Sequence, residues 1–122
     1  MARALVKSSP HDCLFCRIVA KEVPADIVYE DEQIVAFRDI QPKAPVHLLV
    51  VPRRHVASPN ELRAEHAELV GLIHLVCGQL ARENGVAETG YRVVANCQSD
   101  AGQTVSHIHF HLLGGRRLGR FA

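Results

Sequence analysis

No stretch of this 122-residue chain concentrates charge of one sign: Lys and Arg cluster only as Arg53-Arg54 and Arg116-Arg117, and the formal net charge is +1. Nucleic-acid binding rests on concentrated basic residues, so nucleic acid is not expected as the main partner. No apolar run approaches the roughly 20 residues that span a bilayer. Residues 1–11 also lack the continuous apolar stretch of a signal peptide, so a cytoplasmic protein without membrane contact is expected. Tryptophan is absent, and there is no internal repeat, low-complexity segment or dividing linker. What remains is an ordinary globular composition, 48% hydrophobic and 22% charged. It is long enough to bury a core without disulfides. The organisation expected is a polar tail over residues 1–11 followed by one domain over residues 12–122.

Local patterns suggest an α+β domain. Leu14 to Lys21 reads as a short helix, with Asp12 near its start and Pro24 beyond its end. Ile27 to Tyr29 and Gln33 to Arg38 read as strands joined by a Glu30-Asp31-Glu32 turn. Ile40 to Pro45 holds two prolines and reads as a loop, and the nearly continuous apolar run Val46 to Val51 as a central strand. Ser58-Pro59-Asn60-Glu61 offers an N-cap serine, a proline at the first helical position and a capping-box glutamate. A long helix is therefore expected from there, with Leu62, Leu69, Ile73, Val76 and Leu80 on one face and Asn84-Gly85 as the stop. Tyr91 to Cys97 and Thr104 to Leu113 complete about five strands of a mainly antiparallel sheet, with Gln98 to Gln103 as a polar loop between them.

The densest chemistry lies in His107-Ile-His109-Phe-His111-Leu-Leu113. Read with period two, three imidazoles stand in one row while Ile108, Phe110 and Leu112 form an apolar opposite face. Burial explains only the apolar half. Imidazole can be a nucleophile, a proton carrier or a metal ligand near neutral pH. Three in a row would span roughly 13 Å, too far for all of them to hold one ion. A division of labour follows, with one histidine engaged elsewhere and the others facing a substrate.

Four cysteines occupy positions 13, 16, 77 and 97. Cys77 falls in the helical apolar pattern and reads as a buried free thiol, and the role of Cys97 is open. Cys13 and Cys16 form a C-x-x-C pair, which in a cytosolic chain means metal or redox work. The redox reading is the weaker, since Leu14-Phe15 between the cysteines is apolar and no βαβ pattern surrounds them. A tetrahedral zinc would need two further ligands. His55, at the end of a strand, and His107, opening the row, are better placed for this than His11, His66 or His74.

The histidine row matches the His-φ-His-φ-His-φ-φ signature of the histidine triad superfamily, where φ is hydrophobic. Asp12 to Ile18, Val35 to Ile40, Ala44 to Pro52, Gly102 to Val105 and Gly114-Gly115 resemble its nucleotide-binding (Hint) branch, so that the similarity runs over about residues 12 to 118. This resemblance implies a homodimer and hydrolysis of purine nucleoside phosphoramidates to nucleoside monophosphate (AMP or GMP) and amine. It implies His109 as the nucleophile, with His111 and His47 flanking it on the phosphate. By the same resemblance Asp39 would hold the ribose hydroxyls, and Leu14, Phe15, Ile18, Phe37, Ile40 and Leu49 would line the purine slot. Asn96, Gly102, Gln103 and Thr104 would contact the phosphate, a Gly-Gln-Thr turn being able to offer backbone N–H groups to an anion. Cys13, Cys16, His55 and His107 would hold a structural Zn2+, with no metal required for the chemistry. The chain departs from animal Hint proteins in lacking their tryptophan-containing tail, which leaves the preferred leaving group open. Two alternatives stay in view: a dinucleoside polyphosphate hydrolase, and a zinc-stabilised nucleotide-binding module with vestigial activity.

Overall fold

A computed structural model describes residues 12–120; the polar tail expected over residues 1–11 lies outside the described residues. Five strands form one antiparallel sheet: β1 (Ile27–Glu30), β2 (Ile34–Arg38), β3 (Val46–Pro52), β4 (Tyr91–Val94) and β5 (Phe110–Gly114). Their spatial order is β1-β2-β3-β5-β4, with β3 in the centre. Two α-helices accompany them, α1 (Leu14–Val19) and α2 (Ala67–Glu83). The α+β class and the five antiparallel strands are as the sequence predicts. Among the described residues, no helix is long and apolar enough to cross a membrane.

Both faces of the sheet are covered, which explains the unbroken apolar run of β3. Side chains alternate across a strand, so a strand buried on both sides loses its polar positions. Toward α2 point Ile34, Ala36, Leu48, Val50, Ile108, Phe110 and Leu112, packed on Leu69, Ile73, Val76 and Leu80. Toward α1 point Val35, Phe37, Leu49 and Val51, packed on Cys13, Phe15 and Ile18. The histidine row lies on the α1 side, because Leu49 on β3 is registered against His111 on β5.

Four expected boundaries change. The Ser58 signal does not open the long helix. Its hydroxyl accepts the Asn60 N–H and caps a single 3-10 turn, Pro59–Glu61. Leu62 is then extended and packs against the α2-side core, so the chain turns inward before α2 can begin at Ala67. The α1 helix spans Leu14–Val19, and its N-cap acceptor is the Cys13 thiol rather than Asp12. The strand expected to run to Cys97 pairs only through Val94. Hydrogen-bonded pairing of the last strand begins at Phe110 rather than at Thr104, since Ile108 gives its N–H to Val56 on the connection after β3.

The alternation of the row nevertheless holds: Ile108, Phe110 and Leu112 are buried on the α2 side, while His107 and His109 are buried on the other. The stop at Asn84-Gly85 also holds. The Asn84 backbone and side-chain amides both donate to the Leu80 carbonyl, and Gly85 takes φ +73°. Past β5, Gly115 takes φ +97° with its Cα against Pro45, where a Cβ would stand 2.9 Å from the proline Cβ. Only glycine lets this turn close on the loop before β3.

Candidate active site and metal centre

On the α1 side of the sheet opens a cavity of about 670 Å³, a volume typical of a small-molecule site. Leu14, Phe15 and Ile18 from α1, Phe37 and Ile40 at the end of β2, and Leu49 from β3 all line it. Phe15 and Phe37 meet edge to face at 5.4 Å and 71°. Ile40 is 94% exposed, so the apolar wall runs out to an open lip. His47, His109, His111, Asp39, Asn96, Gly102 and Thr104 supply the polar side.

The hydrogen-bond partners of the three cavity histidines assign their tautomers. His109 Nδ1 lies 2.7 Å from the His107 carbonyl, which can only accept. His109 therefore carries its proton on Nδ1 and keeps the Nε2 lone pair. The Lys43 N–H donates to His47 Nδ1 at 3.0 Å, so in neutral His47 the proton sits on Nε2. His47 Nε2 then donates to His111 Nδ1 at 2.9 Å. This leaves His111 with a proton on its own Nε2. The cavity is thus faced by one imidazole with a lone pair and one with an N–H.

Burial keeps these rings neutral. It lowers His109 and His47 below the usual histidine range and takes His111 down to about 4, with the neighbouring His109 and His47 adding to the effect on His111. The Phe15 ring meets His109 edge to face at 5.0 Å, so the side chain that begins the apolar wall also confines this imidazole.

Asp39 is tied down by its surroundings. One carboxylate oxygen accepts the Gln41 N–H at 2.8 Å, and the other lies 3.4 Å from His47 Nε2. Asp39, His47 and His111 sit close enough together to suggest a metal set. The Lys43 N–H argues against it: with His47 Nδ1 already accepting, Nε2 keeps its proton and cannot offer a metal a lone pair.

At the other end of the row the donors differ. Cys13 Sγ lies 3.2 Å from His107 Nδ1, and Cys16 Sγ lies 3.2 Å from His55 Nδ1 and 3.5 Å from His107 Nδ1. Two thiols and two imidazole nitrogens thus converge, the four sequence-predicted ligands being the four that meet. Ligands at about 2.0–2.3 Å from a tetrahedral zinc stand roughly 3.3–3.8 Å apart, so this donor set fits zinc. His107 Nε2 donates to the Pro52 carbonyl at 2.8 Å, which leaves Nδ1 unprotonated and aimed at the thiols. Burial and the neighbouring Cys13 push the Cys16 thiol up to about 12. A dication would supply the charge that lets the thiols ionise.

The loop from Gln98 to Gln103 departs from the expected anion nest. Gly102 gives its N–H to Ser99 and Gln103 gives its own to Gln98, so neither is free for a phosphate. Gln103 does not line the cavity. Its buried side chain accepts the Gln98 N–H at 2.9 Å and donates to the carbonyls of Ala57 at 2.8 Å and Val105 at 2.9 Å. It holds the loop in place, including Gln98 at φ +70°.

Sequence reasoning also missed Val23, Pro24, Arg38, Lys43 and Val94 on the cavity wall. Pro24 beyond the end of α1, and the place of Arg38 within the Val35 to Ile40 stretch, were signals that could have placed some of them. The remaining histidines behave as ordinary packing residues where described: His66 accepts the Arg63 N–H, and His74 rests on the Phe110 ring at 5.6 Å. Cys77 is buried among core residues, with its thiol pushed up to about 11.

The chain is similar to known proteins over most of its length. Residues 12–121 match the family described as "Scavenger mRNA decapping enzyme C-term binding". A purine nucleoside phosphoramidase of Escherichia coli is 44% identical over 108 residues, spanning 88% of this chain and 91% of that protein. The crystal structure of a HIT family hydrolase from Legionella pneumophila superimposes with a TM-score of 0.88 at 48% identity, covering 88% of this chain and 96% of the other. A histidine triad protein from Clostridium difficile gives 0.88 at 41% identity, with both chains covered completely.

Proposed function

The chain belongs to the histidine triad superfamily, and from that premise we propose that it hydrolyses purine nucleoside phosphoramidates to a nucleoside monophosphate and an amine. One observation carries the reading. The His107 carbonyl fixes the His109 proton on Nδ1 and so leaves the Nε2 lone pair to a ring that lines the cavity. A neutral imidazole is a good nucleophile near pH 7, and its phosphorus adduct is labile enough to turn over.

His109 Nε2 would attack the α-phosphorus as the bond from phosphorus to the amine breaks. The amine leaves after taking a proton from solvent, and the nucleotide stays on His109. Water then adds to phosphorus and gives one proton back to solvent, the bond to His109 breaks, and the nucleoside monophosphate departs with the imidazole neutral again. The His111 Nε2 proton would be offered to a phosphate oxygen, and it can hold developing charge without a metal. The purine would lie between Phe15, Phe37, Leu49 and the open lip at Ile40, with the ribose hydroxyls on Asp39. Asn96 and Thr104, on either side of the loop that Gln103 secures, would approach the phosphate, with Gly102 lining the cavity between them although its N–H is given to Ser99. Zinc, held by Cys13, Cys16, His55 and His107, would be structural and take no part in bond making. It would tie α1, which carries the purine wall, to the segment carrying His109.

A homodimer belongs to the same reading. Leu75 on α2 is 70% exposed and Tyr91 on the edge strand β4 is 41% exposed, an apolar surface that a second copy would cover. Light scattering should give twice the chain mass.

Steady-state hydrolysis of adenosine 5′-phosphoramidate tests the activity, with diadenosine tetraphosphate as the rival substrate. Turnover of the phosphoramidate that is lost in His109→Ala, while AMP still binds, is the expected result. Turnover of the dinucleotide alone would assign the protein to polyphosphate hydrolysis instead. AMP binding with no turnover of either substrate would leave a nucleotide-binding module.

A further inference from the structure

The tautomer of the His47–His111 pair depends on a backbone group in the loop between β2 and β3. Nothing in the imidazoles themselves decides which nitrogen is protonated; the Lys43 N–H on His47 Nδ1 does at hydrogen-bond distance, with the Asp39 carboxylate 3.4 Å from Nε2 favouring the same form from further away. That N–H must stay in place, yet it sits between two prolines, Pro42 and Pro45, in a segment without regular structure. The contact that holds it comes from 73 residues away. The Arg116 guanidinium donates through Nη2 to the Lys43 carbonyl at 2.7 Å, and through Nη1 to the Arg117 carbonyl at 3.0 Å. Gly115, pressed on Pro45, brings Arg116 over the loop.

We propose that Arg116 is a positioning residue of this site: by holding the Lys43 carbonyl it keeps the Lys43 N–H on His47 Nδ1, and so fixes the protons of His47 and His111. Without that hold only Asp39, 3.4 Å from Nε2, still favours this form, and His47 can populate both tautomers. In the alternative form its Nε2 accepts, and the His111 Nε2 proton that faces the cavity is withdrawn to His111 Nδ1. His109 is unaffected, because its proton is set by the His107 carbonyl. The kinetic consequence rests on the phosphoramidase reading; the tautomer consequence does not.

Long-range proton–nitrogen NMR of 15N-histidine-labelled, zinc-loaded protein reads the ring nitrogens without substrate. The wild type should show His47 Nδ1 and His111 Nδ1 unprotonated. In Arg116→Met both rings should move to averaged shifts while His109 stays unchanged. For the phosphoramidate, kcat should fall roughly ten-fold with KM changed less than about two-fold, as expected of a misplaced catalytic group. Arg116→Lys, which keeps a donor, should recover most of the loss. Lys43→Ala, which keeps the backbone N–H, should leave both tautomers as they are. Unchanged His47 and His111 shifts in Arg116→Met would overturn the proposal, and so would averaging of all three histidines, which marks general loosening. A wild type with single tautomers but no turnover would refute the phosphoramidase reading and leave the role of Arg116 in the tautomers standing.

Discussion

The two ends of the histidine row share residue type, chain segment and sheet face, yet their surroundings are opposite. At one end His107 is fully buried, its Nε2 bound to the Pro52 carbonyl and its Nδ1 directed at two thiols. At the other, His111 borders a cavity and accepts a hydrogen bond from another imidazole. Between them His109 turns Nδ1 to a carbonyl and keeps Nε2 for the cavity. On the proposed reading, what would separate ligand, nucleophile and donor is the partner of each ring's second nitrogen. For His107 and His109 those partners are the Pro52 and His107 carbonyls; for His111 it is His47, whose own proton is placed by the Lys43 N–H. A histidine's role is set by the group behind it.

The sharpest break between the two ends is His109→Ala. Turnover of the phosphoramidate should fall on the order of 10⁴-fold, as when a covalent nucleophile is removed. Metal content, measured by atomic emission, should be that of the wild type. Loss of metal in this variant would mean that the two ends are not separable.

The reverse experiment should not be symmetric. Cys16→Ala removes one of the converging donors, and metal content should drop toward zero. The melting temperature should fall by roughly 10 °C or more, a shift of several kcal/mol for a domain of this size. Activity should fall too, though far less than in His109→Ala. His107 carries both a thiol contact on Nδ1 and the carbonyl that orients His109, so loosening the metal end reaches the cavity end. Retention of full kcat in metal-free protein would break that coupling.

A smaller effect is expected at the loop beside the cavity. Gln103→Leu would strand the Gln98 N–H and the Ala57 and Val105 carbonyls, all now bonded to the buried amide. A loss of about 2–4 kcal/mol in urea unfolding is expected for such a buried network. KM should rise more than kcat falls, because the loop borders the cavity without carrying the nucleophile.

Much of this was legible beforehand, for reasons that differ between elements. The two-sided burial of β3 is written as an unbroken apolar run, and the row as strict alternation. The four converging Cys and His donors could be grouped because thiols are few and chemically distinctive. The start of α2 could not be read, since Ser58 caps a turn as well as it caps a helix; only packing of Leu62 on the core decides. The part of Gln103 was hidden because a buried amide and a phosphate-binding amide look alike in sequence. The tautomers were out of reach altogether: they depend on the Lys43 N–H and on carbonyls whose positions only the folded chain supplies.

The smallest effect would sharpen the comparison from the cavity end alone. Burial lowers His111 from an ordinary value near 6.5 to about 4, and it lowers His47 as well. Above about pH 6.5 both rings are neutral whether the chain is folded or not, and stability does not depend on them. As pH falls from 6.5 toward 4 the unfolded chain takes up protons that the folded site refuses, so stability declines across that window. The slope is about 1.4 kcal/mol per pH unit for each such group. His111→Gln removes one of the two groups, and its unfolding free energy should decline less steeply over the same window. Because the rings share a proton, the slope lost should differ from one full group, and a His47→Gln, His111→Gln double variant should not equal the sum. Equal slopes in wild type and His111→Gln would mean that this ring is protonated as easily in the folded chain as in the unfolded one, and the neutral His111 that the cavity end requires would then be lost.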